Sequence, residues 1–160
     1  MRLRHSLSLA FRKKLKCIIL IDKRIKISAA VYGKYHTKGG FIMEYRRFGN
    51  TIYLRLDPKE EILEEIGKVA KKENIRLAQV TGLGAINDFT AGVYNTVTKE
   101  YHSIQFQGAF EIVSLTGTVT RKDGDVYLHL HIAAGDEEGH VHGGHLNRAI
   151  ISATARSRSR

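Results

Sequence analysis

The stretch NTIYLRLDPKEEILEEIGKVAKKEN, residues 50–74, decides the fold class because it joins a strand pattern to the one convincing helix pattern of the chain. Its first part alternates Ile52, Leu54 and Leu56 with outward-facing neighbours, which predicts a half-buried strand. The second part predicts an amphipathic helix. The apolar face of that helix combines Ile62, Leu63, Ile66, Val69 and Ala70.

The two ends of this helix are predicted from its capping residues. Asp57 is a favourable N-cap and Pro58 fits the first helical position. Glutamates come early and lysines come late, an order that suits the helix dipole and indicates a solvated face. Asn74 predicts the end of the helix.

The sequence that follows the helix predicts strands throughout. Residues 122–125, KDGD, form a hairpin turn of the Asp-Gly type. One helix beside many antiparallel strands predicts an α+β domain, with a mainly antiparallel sheet and one principal helix packed on it. Gly82 and Gly84 indicate a bend or bulge. A dinucleotide fingerprint needs a third glycine where Asn87 stands, so no nucleotide cofactor is expected.

Charge divides the chain into three parts. Residues 1–42 hold 11 Lys/Arg and one acid, whereas residues 43–154 hold 12 Lys/Arg and 15 acids. We predict a poorly structured basic N-terminal extension at 1–42, a folded domain at 43–154 and a basic Ser/Arg tail at 155–160. A targeting leader and an over-extended reading frame are the alternatives for the extension. The slightly acidic body does not have the charge of a free-standing DNA-binding domain.

Cysteine usage and hydropathy predict a cytoplasmic protein. The single cysteine, Cys17, excludes a disulfide framework within one chain and fits a reducing compartment. No apolar run approaches the roughly 20 residues of a membrane-spanning helix, so no membrane partner is expected.

Residues 129–146, HLHIAAGDEEGHVHGGHL, hold five of the eight histidines. His129 and His131 are two apart on a predicted strand, so both point to the same face. His145 follows a glycine-rich loop, and if that loop doubles back, three imidazoles converge. Such a set predicts a site for a divalent metal such as zinc. The alternative is that these histidines bond one another or the backbone and only line a pocket. His140 and His142 lie in the loop and are expected to be mostly exposed.

Three carboxylates accompany this candidate site. Asp136 and Glu138 lie in the same loop and could support a metal ligand or accept a proton. Glu111 lies in the strand GAFEIVSLTGTVT on the face of Val113 and Leu115. It is therefore either partly buried with a partner or exposed at an edge.

Three stretches together resemble the PPC (plants and prokaryotes conserved) domain family. They are VTGLGAINDFTAGVY at 80–94, GAFEIVSLTGTVT at 108–120 and DGDVYLHLHIAAGDEEGHVHGGHL at 123–146. The resemblance spans about residues 43–154. It implies an antiparallel sheet with one main helix, assembled as a homotrimer. It also implies that His129, His131 and His145 form a shared polar or metal pocket.

The resemblance further implies a DNA-linked, regulatory function and contacts with other proteins. The implied protein-contact segment comprises Phe110, Glu111, Ile112, Val113, Ser114 and Leu115. The chain lacks the Arg-Gly-Arg-Pro core of the AT-hooks found in plant members. Phosphate contacts are therefore expected from the basic ends. The candidate residues are Arg12, Lys13, Lys14, Arg156, Arg158 and Arg160.

Two other functions stay open at this point. A small metal-dependent enzyme, a hydrolase or lyase, would hold its metal with the three histidines and move protons with Asp136, Glu138 or Glu111. A protein-interaction scaffold would use the FEIVSL segment.

Overall fold

The computed structural model describes residues 17–22, 32–33 and 44–152, with side chains for 19–21 and 44–152. These residues form eight strands and one helix. In chain order they are β1 (Cys17–Asp22), β2 (Tyr32–Gly33), β3 (Glu44–Phe48), β4 (Thr51–Leu56), α1 (Ile62–Lys72), β5 (Ala78–Asn95), β6 (Glu100–Lys122), β7 (Asp125–Gly135) and β8 (Val141–Ile151).

The strands form one sheet in the order β2-β3-β4-β1-β5-β6-β7-β8, and β8 also pairs with β5. The four strands from β5 to β8 are therefore bonded in a closed ring. Every pairing between neighbours is antiparallel. This architecture confirms the predicted α+β class, a mainly antiparallel sheet with one helix.

Bulges in β5 allow this one strand to pair with different neighbours along its length. The register with β6 shifts between Gly82 and Gly84, where the sequence predicts a bulge, and again between Ile86 and Asp88. Residues 79–83 of β5 pair with β1, and residues 86–92, beyond the first shift, pair with β8. A bulge bends a strand and increases its local twist, so one continuous strand can pass from one partner to the other.

The helix begins later than predicted. Its N-cap is Glu61, whose carboxylate accepts the Glu64 N–H, and not Asp57. The preceding residues are held by the last strand: Lys59 N–H donates to the Ile151 carbonyl at 2.9 Å. Because this backbone is bonded to β8, helical geometry starts only after it. The other end agrees with prediction, since Asn74 follows the C-cap with a left-handed φ of 47°.

The core lies between the helix and the sheet. Four of the five predicted apolar helix positions are buried, and Leu63 is partly buried against them. Glu65, predicted on the solvated face, is 7% exposed and pairs with Lys68. The hydroxyl of Tyr45 on β3 donates to Glu73 at the helix C-cap, 3.0 Å away. This bond ties β3 to the end of the helix.

Part of the predicted N-terminal extension belongs to the sheet. β1 lies between β4 and β5 and pairs with both, and its Ile19 and Ile21 are fully buried. For residues 17–22 the structure therefore differs from a poorly structured extension. Without β1 the facing edges of β4 and β5 would leave backbone groups unpaired. Within the described ranges, none of the helical structure is long and apolar enough to span a membrane.

Candidate metal centre

The β7–β8 hairpin brings the three candidate histidines together. On β7, exposed His129 and His131 alternate with buried Leu130 and Ile132. The loop after β7 doubles back, and the register of β8 then sets His145 directly opposite His131. The convergence expected from the sequence is present.

The spacing of the three rings fits a divalent cation. Nε2 of His131 lies 3.3 Å from Nε2 of His129, and one ligand nitrogen from each residue lies within 4.8 Å of the others. Tetrahedral zinc with bonds of about 2.0–2.1 Å sets its nitrogens roughly 3.3 Å apart. The first pair already has this spacing, and the ligand nitrogen of His145, within 4.8 Å of both, would move closer to complete the set. The same 3.3 Å also suits a hydrogen bond between the two rings, the alternative left open by the sequence.

Electrostatics keep His145 available as a neutral ligand. It is half-buried, whereas His129 and His131 are exposed. Loss of solvent lowers the pKa of His145, and the nearby charges of His129 and His131 lower it further. A neutral imidazole retains the lone pair that binds a metal.

Tyr101 on β6 packs against His145 of the trio, a contact that sequence reasoning missed. Its ring lies edge-on to His145, with centroids 6.3 Å apart, and its hydroxyl donates to Asn147 Oδ1 at 2.7 Å. Gly92 makes this path possible, because a Cβ there would overlap the Tyr101 hydroxyl. No local pattern marks Tyr101, since the pairings of β5 with β6 and β8 create the contact.

The loop carboxylates bind other histidines. Asp136 Oδ1 accepts the backbone N–H groups of Glu138 and His140, and Oδ2 lies 3.1 Å from His142 Nε2. Desolvation opposes ionisation of Asp136, but the bonds from His142 and the two backbone groups outweigh it and lower its pKa. Exposed Glu138 lies 3.5 Å from His140. The contacts of Asp136 therefore stabilise the turn, and the structure does not bring the two carboxylates to the trio.

His142 differs from the exposed loop histidine expected at this position. Its side chain is 34% exposed, compared with 67% for His140. Its ring lies tilted over Phe106, with centroids 4.9 Å apart, and meets Phe110 edge-on at 6.1 Å. The expectation of exposure is right for His140 and wrong for His142, which β8 carries back over the aromatic side chains.

Burial alternates along the segment Phe110–Leu115, but a bulge interrupts the alternation. Phe110, Ile112 and Leu115 are buried, whereas Glu111, Val113 and Ser114 are exposed. The register of β6 with β7 shifts between Ile112 and Ser114, which puts Leu115 on the face opposite Val113. Glu111 is thus exposed, one of its two expected states. The outward residues line an open cleft of about 830 Å³ that also includes Leu20 and Leu83.

The candidate phosphate-contact residues all lie outside the described ranges. They are Arg12, Lys13, Lys14, Arg156, Arg158 and Arg160.

A sequence model of the Plants and Prokaryotes Conserved (PCC) domain matches residues 43–156 of the chain. In a separate comparison, no curated protein matches it.

Solved structures share the fold. One from Bacteroides thetaiotaomicron, named a "putative DNA binding protein", is 29% identical with a TM-score of 0.67, over 74% of this chain and 86% of that one. A PPC protein from Pyrococcus horikoshii is 34% identical with a TM-score of 0.58, over 71% and 77%. A metal-containing protein from Archaeoglobus fulgidus is 25% identical with a TM-score of 0.59, over 79% and 80%.

Proposed function

The chain belongs to the Plants and Prokaryotes Conserved domain family, and from this premise we propose that it is a trimeric, DNA-associated module that binds a divalent metal. One observation carries the metal assignment: His129, His131 and His145 converge from two strands with their ligand nitrogens within 4.8 Å. The metal-containing relative from Archaeoglobus fulgidus supports it.

The two strands of the hairpin contribute different ligands to the proposed site. His129 and His131 come from one strand, so the backbone of β7 sets their separation. His145 comes from β8, and the edge contact with Tyr101 restricts its ring. A bound divalent ion would supply Lewis acidity at its open position. The alternative of a hydrolase or lyase gains no support from the comparisons. Binding a metal requires only the three histidine ligands.

Native mass spectrometry of the full chain tests the metal assignment. We expect one zinc or cobalt ion per chain after equilibration, because three imidazoles from a paired hairpin form a preorganised ligand set. His129→Ala should abolish the adduct. His102→Ala is the matched control, because His102 is an exposed histidine whose partner is Glu100, 3.6 Å away. An adduct that persists in His129→Ala would contradict the assignment.

The proposed DNA association depends on charge outside the described domain. The relative from Bacteroides thetaiotaomicron carries a DNA-binding name. In this chain the positive charge lies at the ends, whereas residues 43–154 have three more acids than bases. We assign the contacts to backbone phosphates, which basic tails neutralise without reading sequence.

The proposed trimer would cover an exposed apolar ribbon formed by the ends of β5 and β6. Val93 and Ile104 are 63% and 62% exposed, and Val97 in the connecting turn is 87% exposed. Tyr94 is 51% exposed as well. A clustered apolar surface of this kind favours burial against a partner. The open cleft beside Leu20, Leu83 and Val113 offers an apolar surface for it on a second copy.

A further inference from the structure

We propose that the three-histidine centre takes a small oxyanion, a carboxylate or a phosphate group, at the open position of its metal. This inference rests on the proposed metal site and names the class of ligand that completes it.

The charge of the metal-loaded centre favours an anion. Imidazole ligands are neutral, so the ion would keep both positive charges at the centre. Within residues 44–152, the carboxylate contacts of histidines belong to His102, His140 and His142 and not to the trio. An uncompensated divalent charge at a half-exposed site attracts an anion from solution.

A pair of unused hydroxyl groups lies beside the trio. Thr118 lies opposite His129 and Thr116 lies opposite His131 in the pairing of β6 with β7. Residues directly opposite in an antiparallel pair share a face, with Cβ atoms about 4.5–5.5 Å apart. Both threonines are exposed. Their hydroxyls make no hydrogen bond to the described part of the chain, so they are free to donate to an oxyanion.

A third threonine provides the internal comparison. Thr120 continues the same row on β6, but its hydroxyl already donates to the Tyr127 carbonyl at 3.4 Å. It also lies one pair farther from the trio, opposite Tyr127 and not a histidine. Donors for the anion are therefore assigned to Thr116 and Thr118 only.

The oxyanion could be a free small molecule or a phosphate of the nucleic-acid backbone. Both offer the same chemistry, a negatively charged oxygen that can bind a metal and accept hydroxyl hydrogen bonds. Direct comparison of the two sources distinguishes them.

The test uses the full chain loaded with Co²⁺ in chloride-free buffer, followed by visible absorption. Inorganic phosphate, acetate and a short DNA duplex are titrated separately. We expect a saturable change of the cobalt bands with phosphate and with acetate. The double variant Thr116→Val/Thr118→Val should weaken the phosphate response about tenfold or more, since it removes hydrogen bonds to a charged group. Its cobalt affinity should stay unchanged, and Thr120→Val should behave as the unmodified protein.

Each outcome is decisive. No cobalt binding overturns the proposed metal site and this inference with it. If cobalt binds but its absorption bands do not change with phosphate or acetate, the oxyanion ligand alone is overturned. An anion response that the double variant leaves intact overturns the role of the threonines. A response to the duplex at lower phosphate concentration than to inorganic phosphate assigns the oxyanion to DNA, and a response to the small anions alone assigns it to a metabolite.

Discussion

His131 on β7 and His145 on β8 lie directly opposite each other across an antiparallel hairpin. Their ring centroids are 5.5 Å apart, and the ring of His129 lies 5.3 Å from one and 5.1 Å from the other. The ligand set is thus part of the sheet's own pairing. Any change that shifts the register of β8 by one residue would turn His145 to the other face.

Removal of the Tyr101 side chain should weaken metal binding without unfolding the domain. Tyr101→Ala loses the edge contact that restricts His145, and groups that orient a metal ligand typically contribute 10-fold to 100-fold in affinity (about 1.4–2.8 kcal/mol). Tyr101→Phe keeps the ring and should retain most of the affinity. Zinc titration calorimetry measures both. Tyr53→Ala is the control, because Tyr53 on β4 is similarly exposed and its aromatic contact is with Phe48. Equal affinity in Tyr101→Ala and the unmodified protein would refute the positioning role.

Acid should destabilise the metal-free protein through His145. Its folded pKa is lowered by burial and by the other two histidines, so the unfolded chain binds more protons. The free energy of unfolding is then highest above the unfolded value near 6.5 and falls as pH drops below it. Denaturant titrations between about pH 7.5 and about pH 5 measure this slope. In His145→Gln the slope should be shallower, whereas His102→Gln should leave it unchanged.

Alkali should also destabilise the protein, in this case through Tyr45. Burial, the hydrogen bond to Glu73 and the charge of Glu73 raise the pKa of Tyr45 to about 12. A raised pKa means that this stabilisation is complete below the unfolded value of about 10 and is lost as pH rises through the folded value. Tyr45→Phe should cost about 1.5 kcal/mol at neutral pH, the usual contribution of a bond to a charged acceptor. Chemical unfolding curves would show no difference if the bond were unimportant.

Charge on the apolar ribbon should dissociate the trimer. Val97→Asp/Ile104→Asp puts two carboxylates on a surface that the proposed assembly buries, and unpaired buried charges are costly. Native mass spectrometry should change from the mass of three chains to that of one, with circular dichroism unchanged. Val141→Asp changes another exposed apolar residue, 58% exposed, in the β7–β8 hairpin and should stay trimeric. A trimeric double variant would place the interface elsewhere.

DNA affinity should depend on the N-terminal basic residues. Arg12→Gln/Lys13→Gln/Lys14→Gln removes up to three phosphate contacts, which should flatten the dependence of log affinity on log salt by about 3 at most. Fluorescence anisotropy with a labelled duplex measures this slope. Lys71→Gln on the helix is the control, since it removes positive charge from the acidic body. An unchanged slope in the triple variant would exclude this segment as the contact.

Local patterns predicted the helix face and the hairpin turn because each depends on neighbours in the chain. The apolar helix positions and the αL residue Asn74 agree with the structure, and Asp123 and Gly124 both have positive φ in the turn. The predicted start of the helix was wrong because Lys59 bonds to Ile151 on β8, 92 positions away in the chain. That partner cannot be read from the helix sequence.

The candidate site shows the same division. The spacing of His129 and His131 put both on one face, since side chains alternate along any strand. Only the strand pairing brought His145 opposite His131 and packed Tyr101 over Gly92, and the turn between β7 and β8 brought Asp136 to His142. A bulge beside Ser114 likewise separated Leu115 from Val113. Periodicity is a property of consecutive residues and is therefore determined by the sequence alone. Register and bulges depend on which strands pair, and these were decided only when the tertiary structure buried the core.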